Sequence, residues 1–447
     1  MSSRRTFLKT GGALAAGLGL SHFFTEESAA TPVIHGKTAP SDRVNLGVIG
    51  VGMGCHDLRG ALQDSGVHCI AMCDVDKNRR ASQAQDFKKR FPDQTKQLQE
   101  YDDFRKMLDN KDLDGVIIAT PDHWHTYIFA EALKAGKAIY VEKPVANSIA
   151  ECNKMMEWQA KYKNVITTGL WQTSQRYFRA ANEILKTGVL GDVFKVQIFL
   201  CSSTNPRPVV PDETVPSYLD YEMWLGPAPV RPYNPFRVRG WRGFWDYGGG
   251  QQTDWGVHWI DSAFDGLKML GLNDRTYPKS VVSSAYKHPQ SFNETPSCQT
   301  TIFEYENFHI EWAQQVAHLY NRNQGVVWIG SNATLVCNRE GYKLIPEKDR
   351  DGGLLTDSAE LTGKFEDRGV DDHTANWIAC IRSKNIQTNS PVEKGAFATI
   401  LAHAANISFR TGTKVTYDPK TQKFVNNAAA DAFLKPAYRK PWDNVWS

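Results

Sequence analysis

Beyond residue 43 the chain alternates short apolar runs with mixed stretches of helical length. Residues 44–49, Val-Asn-Leu-Gly-Val-Ile, are too short for a helix and too apolar for a surface loop, so they read as a buried strand. Runs at 67–73, 115–120, 138–141 and 164–169 follow at strand–helix spacing, which predicts a parallel sheet. The stretch 127–137 between two of them reads as a helix, and its ending, Ala135-Gly136-Lys137, is a C-cap signature. From residue 193 the pattern becomes alternating. Runs at 193–200, 280–286, 300–305, 308–314, 326–329 and 334–338 read as strands of one antiparallel or mixed sheet. Residues 349–370 are polar and read as loop. Helices are expected at 373–382 and 394–410, in a region near 371–412 that packs back on the first domain. The tail through Lys435, Pro436, Lys440, Pro441 and Trp442 reads as an extended arm laid on a neighbouring molecule.

The first thirty residues differ from the rest. Arg4-Arg5 precedes Thr-Phe-Leu-Lys, an Ala/Gly/Leu run follows from Gly11 to Leu20, and small residues stand at Ser28-Ala29-Ala30. A charged start, a short apolar stretch and a small-residue cut describe a secretory leader. The apolar stretch is too short to span a bilayer, and the paired arginines resemble the twin-arginine export signal. The expectation is a signal peptide at 1–30, a linker at 31–42, and a periplasmic or otherwise exported protein with no stable membrane anchor.

Composition narrows the classes further. In 447 residues the formal net charge is only +3, so there is no basic footprint for nucleic acid. The eight cysteines form no C-x-x-C and no zinc-type spacing. An export route for proteins folded in the cytoplasm lets buried thiols stay reduced, so no disulfide framework is expected.

The chemistry begins at the first apolar run. Gly50-Val51-Gly52-Met53-Gly54-Cys55 links it to a helical stretch. A strand, a glycine turn and a helix form a pyrophosphate cradle, with Gly50 for the tight turn and Gly52 for close backbone approach. The third fingerprint position, ordinarily Gly or Ala, is Cys55. The next run ends at Asp74, placed to accept hydrogen bonds from ribose hydroxyls and to repel a 2′-phosphate. That favours NAD, while Arg79-Arg80 nearby leaves NADP open. Two more strand ends, Thr120-Pro121-Asp122-His123-Trp124-His125 and Glu142-Lys143-Pro144, face the same crevice, because ligands bind beyond the carboxyl ends of parallel strands.

Gly50-x-Gly52, Asp74, Ala119-Thr120-Pro121-x-x-x-His125, Ala135-Gly136-Lys137 and Glu142-Lys143-Pro144, in this order and spacing, resemble the Gfo/Idh/MocA oxidoreductases. Gly248-Gly249-Gly250-Gln-Gln-Thr-Asp254-Trp-Gly-Val-His258-Trp-Ile-Asp261 is similar to that family's active-site helix, and the resemblance covers nearly all of the chain after the leader. The fold it implies is α/β: a Rossmann dinucleotide-binding domain at 43–168, then an α+β domain at 169–447 with a large open, mostly antiparallel sheet. That sheet would cover the cleft on one face and make a dimer or tetramer on the other. The implied activity is NAD(P)-dependent oxidation or reduction at a secondary hydroxyl of a sugar, glycoside or polyol.

The resemblance places NAD on Gly50, Gly52, Met53, Asp74, Thr120, Pro121, His125, Glu142 and Lys143. Lys143 would hydrogen-bond the reacting hydroxyl, His258 would act as general acid/base, and Asp254 would position the substrate; Lys143 itself taking the proton is the alternative. Asp254 and His258, four apart, share one face of a helix, while Asp261 reads as structural. Gln172, Arg176, Trp241 and Arg242 are further candidates for the cleft, and Trp171, Trp241 and Trp255 for a wall that stacks on sugar rings. His373 and Asn376 would reach either the cleft or a domain seam. Export implies a cofactor loaded before transport and held. Two alternatives stand beside a dehydrogenase: a redox-neutral, NAD-dependent enzyme that cleaves glycosides by oxidation and elimination, and a non-catalytic sugar-binding protein.

Overall fold

Six strands line up in parallel in the order β3-β2-β1-β4-β5-β6. They are β1 (Val44–Ile49), β2 (Val67–Cys73), β3 (Gln99–Tyr101), β4 (Gly115–Ile118), β5 (Ala138–Val141) and β6 (Ile166–Thr168). The computed structural model that defines them describes residues 42–202, 208–316, 323–362 and 369–446. The leader at 1–30 and all of the linker but Asp42 lie outside the described residues.

Buried β-branched and aliphatic side chains pack on both faces of this sheet, as a doubly covered parallel sheet requires. Helices α1 (Gly54–Ala61) and α2 (Lys77–Arg90) cover one face, with α11 (Gly369–Ser383) from the far end of the chain. Helices α3 (Phe104–Leu108), α4 (Asp122–Lys134) and α5 (Ile149–Tyr162) cover the other, backed by α12 (Val392–Thr411).

The second sheet has eight strands in the order β14-β13-β12-β11-β7-β10-β9-β8. They are β7 (Val193–Ser202), β8 (Ser280–Tyr286), β9 (Cys298–Glu304), β10 (His309–Val316), β11 (Gln324–Gly330), β12 (Ala333–Asn338), β13 (Gly341–Pro346) and β14 (Ala359–Thr362). Only β7 and β10 pair in parallel; the remaining ladders are antiparallel. Helices α6 (Arg176–Lys186), α10 (Gly256–Met269) and α12 lie on one face, against Val196, Ile198 and Leu200. The other face carries Gln197 and the Lys195–Glu311 ion pair.

Two expectations are corrected. The segment 349–370 is not all loop: β14 lies within it and pairs with β13, a strand the alternating pattern had missed. The tail is not an arm for a neighbour. Trp442 packs edge-on against Trp124 and Tyr127 of its own α4, with ring centroids 4.8 and 5.1 Å away. All eight cysteines are free thiols, six of them buried. No helix among the described residues is long and apolar enough to cross a membrane.

Candidate active site

A groove runs beyond the carboxyl ends of β1, β2, β4 and β5, lined by Gly50, Gly52, Met53, Asp74, Thr120, Pro121, Asp122, His125, Glu142 and Lys143 among others. At its base Gly50 has φ 90°, and a Cβ there would lie 2.5 Å from the Ala119 carbonyl oxygen, so only glycine fits. Nothing lies within 4 Å of the Cβ position of Gly52, so its bare backbone opens on the groove. The close packing of helix on strand falls to Gly54, whose Cβ would sit 2.7 Å from Val48 Cγ2 and 3.0 Å from the Ala119 Cβ. Cys55 at the fingerprint position is simply buried, its thiol pushed up to about 12 by burial. No side chain caps α1; the Cys55 and His56 N–H groups turn back to the Gly52 and Met53 carbonyls at 3.4 and 2.7 Å, and the helix start still points its positive end at the groove. An open, glycine-lined cradle at a helix N-terminus fits a dinucleotide pyrophosphate.

Asp74 closes the next wall. Its carboxylate accepts from the Val51 N–H at 3.0 Å and the Asp76 N–H at 2.9 Å, which fixes it beside the glycine turn. Burial raises its pKa against these bonds. Arg80 turns away: it donates to the Asp74 carbonyl at 2.6 Å and pairs with Glu100 at 3.5 Å. Of the two arginines only Arg79 lines the groove.

The Thr120 turn and the Glu142-Lys143-Pro144 turn form the other wall. Thr120 Oγ1 is buried without a partner, a polar atom waiting for a ligand. His125, expected to contact the cofactor, lines the groove and is also held by its surroundings. Its Nδ1 lies 2.8 Å from the Pro144 carbonyl and its Nε2 2.9 Å from that of Thr120. Burial lowers it to about 4, so the ring is neutral and its single N–H donates to one of these two carbonyls, wedging the ring between the two turns.

The centre of the site is an ion cluster. Lys143 Nζ donates to Asp254 Oδ1 at 2.6 Å, and Arg242 Nε lies 2.9 Å from the same oxygen. Asp254 ends α9 (Gly250–Asp254), immediately before α10. Burial pushes its carboxyl up, but Lys143 and Arg242 outweigh burial and hold it at about 2. Glu142 accepts the Lys143 N–H at 3.2 Å and is raised by burial. Gly169 makes room for it, since a Cβ there would lie 2.3 Å from Glu142 Oε1.

His258, on the first turn of α10, is 4% exposed. Burial, then the charges of Lys143 and Arg339, push it well below 6.5, so the ring is neutral. Lys143 stands in the groove wall; the Asp254 side chain paired with it is 16% exposed, and His258 is buried.

Several softer candidates fall elsewhere. Gln172 is buried under α10, donating to Ser262 Oγ at 2.9 Å and accepting from Arg339 at 2.8 Å. Arg176 is exposed at the start of α6, because that helix buries Tyr177, Phe178, Ala181, Ile184 and Leu185 and turns position 176 outward. Trp241 lines the groove. Trp171 and Trp255 do not; they clasp the Arg339 guanidinium, 4.4 and 4.7 Å from their ring centroids. His373 sits at the domain seam, its ring bridging Ser174 Oγ at 2.9 Å and the Thr168 carbonyl at 2.8 Å. The Asn376 side chain accepts from the Asn389 N–H at 2.8 Å. Asp261 pairs with Arg275 and Lys394.

Residues 208–247 form a strap over the groove, with a small core of Tyr221, Trp224, Leu225, Tyr233, Phe244 and Tyr247. It is stitched to the first domain at two ends. Near Asp74, the Lys77 N–H donates to the Tyr218 carbonyl at 2.9 Å and the Asp220 N–H to that of Val75 at 3.0 Å. Near α4, Trp124 Nε1 donates to the Trp224 carbonyl at 3.1 Å. Asp220 has φ −77° and its carboxylate caps α7 (Tyr221–Leu225) through the Met223 N–H. Asp220→Pro would remove the cap and one of the two stitch bonds, that from the Asp220 N–H to Val75, at a compatible φ, while Asp220→Ala removes only the cap. The Pro variant is expected to release NADH roughly fivefold to tenfold faster than the Ala variant, the worth of one hydrogen bond. Stopped-flow displacement of NADH measures it, and equal rates would show the strap is no gate.

Residues 44–170 match the family model described as oxidoreductase family, NAD-binding Rossmann fold, and residues 179–308 match that of its C-terminal α/β domain. A glycosyl hydrolase family 109 protein of Saccharopolyspora erythraea is 34% identical over 171 residues, 36% of this chain and 37% of that protein. An inositol 2-dehydrogenase of Salmonella typhimurium is 28% identical over 189 residues, 41% of this chain and 54% of that protein. The matched stretch thus spans well under two thirds of either relative. Among solved structures, the WlbA dehydrogenase of Bordetella pertussis, in complex with NADH and UDP-GlcNAcA, superposes with a TM-score of 0.61 at 14% identity, covering 84% of this chain and 99% of that one. With both domain models matched in order on an NAD-binding Rossmann fold and its sheet domain, the chain belongs to the Gfo/Idh/MocA oxidoreductase family.

Proposed function

We propose that the protein is an NAD-dependent enzyme acting on a secondary hydroxyl of a sugar, glycoside or polyol. The observation that carries this reading is the placement of Lys143 in the groove wall, paired at 2.6 Å with Asp254 from the second domain. The glycine turn and the start of α1 would hold the pyrophosphate, and Asp74 the adenosine ribose. Bound NAD+ supplies the hydride acceptor. Lys143 donates a hydrogen bond to the reacting oxygen and stabilises the charge that develops there. His258, neutral through burial, shares the proton with it. Asp254 keeps Lys143 in place. The relatives named for inositol and glycoside chemistry support a polyhydroxylated substrate.

A second reading, redox-neutral glycoside cleavage, is favoured by one further acid in the groove, Asp122. The leader at 1–30 supports export by the twin-arginine route, with the strap holding the cofactor on the way; recovery of the protein solely from cytoplasm would sink that part. We further propose that a second copy of the chain covers the open sheet face, giving a dimer or tetramer; a monomer by light scattering would exclude it.

The enzymatic reading is tested by mixing purified protein and NAD+ with a panel of glycosides and inositols. Absorbance at 340 nm should rise with at least one of them. A flat trace with no reducing sugar released from any glycoside, and with sugar binding retained, would make the protein a non-catalytic sugar binder.

A further inference from the structure

We propose that Arg339 is a positioning residue for the proton step: from a hairpin of the second sheet it holds the two tryptophans and the glutamine that set the ring and backbone of His258. The inference rests on the reading of His258 as a proton-handling residue of the site.

A histidine that moves a proton is ordinarily oriented by a hydrogen bond at its other ring nitrogen. His258 lacks that bond at Nδ1, which is buried with no partner among the described residues. Packing has to orient the ring instead. Trp171 meets it edge-on with ring centroids 6.0 Å apart, and Trp255 lies tilted to it at 6.4 Å. The same two indoles clasp the Arg339 guanidinium, which stands 4.4 and 4.7 Å from their centroids and 5.8 Å from that of Trp259. A flat, delocalised cation suits such a slot better than an ammonium.

The edge of the guanidinium reaches the backbone of His258 by a second route. Its Nε and Nη2 donate to Gln172 Oε1 at 3.0 and 2.8 Å. Gln172 Nε2 donates to Ser262 Oγ at 2.9 Å, and that hydroxyl donates to the His258 carbonyl at 3.0 Å. Arg339 itself is anchored in the turn between β12 and β13. There Asn338 Oδ1 accepts the Glu340 and Gly341 N–H groups at 2.8 and 3.0 Å, and the Arg339 carbonyl accepts from Gln175 Nε2 at 3.4 Å.

The charge of Arg339 acts in the same direction as its packing. Burial, then Lys143 at the end of β5, Arg339 on the hairpin and His373 on α11 hold the His258 ring in its neutral form. His373 is itself lowered by burial to about 4, and Lys394 of α12 and Arg179 of α6 act on it. The nearby carboxylates are committed to other cations: Asp254 to Lys143 and Arg242, Asp261 and Asp265 to Arg275 and Lys394.

Two variants separate charge from shape. Arg339→Met keeps an unbranched stem in the slot without the charge or the donors; Arg339→Lys keeps the charge but loses the plane and the paired donors. The substrate is whichever glycoside or inositol raises 340 nm absorbance with the wild type. In both variants kcat should fall roughly 10- to 10²-fold while KM stays within about twofold. Losing a cation beside a histidine favours its protonated form, so the acid limb of the kcat profile should move to higher pH in Arg339→Met and stay in place in Arg339→Lys. An unchanged kcat, or an acid limb that stays put in the Met variant, overturns the proposal. Should the Met variant fail to fold by circular dichroism, the Lys variant carries the kcat test. A readout free of turnover is the His258 ring resonance by NMR, identified by its loss in His258→Gln. It should shift in Arg339→Met; a resonance at its wild-type position overturns the proposal whatever the activity. A wild type that gives no 340 nm signal with any sugar sinks the functional reading itself, and the resonance then still decides whether Arg339 sets the ring.

Discussion

Lys143→Met should lower kcat by about 10³-fold while the protein still folds and binds NAD+. A positioned proton donor or acceptor in the transition state contributes roughly 10²–10⁴-fold, and Lys143 is the cation in the groove wall that Asp254 aims. Methionine keeps the unbranched stem but loses the charge and all three donors. Asp254 keeps Arg242 at 2.9 Å, so the site does not lose every counter-ion. The variant carries a second signature. The folded pKa of Asp254, about 2, is depressed below its ordinary 3.8. A depressed carboxylate contributes stability that is present above the unfolded pKa and lost as pH falls through the folded one; here that is about 2 kcal/mol, lost between roughly pH 4 and 2. Without Lys143 part of it goes, and acid unfolding should begin at higher pH. Turnover at 340 nm, NAD+ titration by fluorescence and acid unfolding by circular dichroism check the three expectations. A variant that retains a tenth of kcat would remove Lys143 from the proton path.

The parts of this site that could be read from sequence are those set by the backbone of one strand–turn–helix unit. Gly50, Gly52 and Asp74 stand where their own strands end, so local pattern and the parallel sheet suffice to bring them together. The sequence also led to Lys143 and Asp254, through motifs on either side of the domain boundary. Side-chain commitments across long separations were not legible. Arg339 reaches Gln172 across 167 residues, and by filling the space between Trp171 and Trp255 it removes both rings from the candidate sugar wall. A tryptophan beside the active-site helix looks the same in sequence whether it meets a sugar or a guanidinium. β14 was missed because four residues are too few to establish a period of two, and only the ladder with β13 defines it. Asp122 was passed over because an acid in the first turn of a helix is ordinary cap chemistry; its burial without a partner is visible only in three dimensions.

The largest stability effect is expected at Asp261, one turn beyond His258 on α10. Its carboxylate lies 2.7 Å from Arg275 Nη2 and 3.4 Å from Lys394 Nζ, and its side chain is 1% exposed. Asp265 shares the same cations, at 2.6 Å from Arg275 and 2.7 Å from Lys394. Lys394 also donates to Thr173 Oγ1 at 2.8 Å. Four charges thus join α10 to α12 and to the short 3-10 turn that carries Trp171 and Gln172. Removing one carboxylate leaves two buried cations on Asp265 alone, and breaking a buried pair from one side costs about 3–5 kcal/mol. Asp261→Ala should lose that much in denaturant unfolding, read as a lower midpoint at unchanged slope. Asp261→Asn keeps a carbonyl acceptor for Arg275 and should lose less. Since the network anchors the helix of His258 and not the nucleotide groove, NAD+ affinity should survive in whatever fraction remains folded. If Asp261→Ala unfolded at the wild-type midpoint but lost turnover, Asp261 would belong to the chemistry, and the division between the acids that act and the acids that hold α10 in place would have to be redrawn.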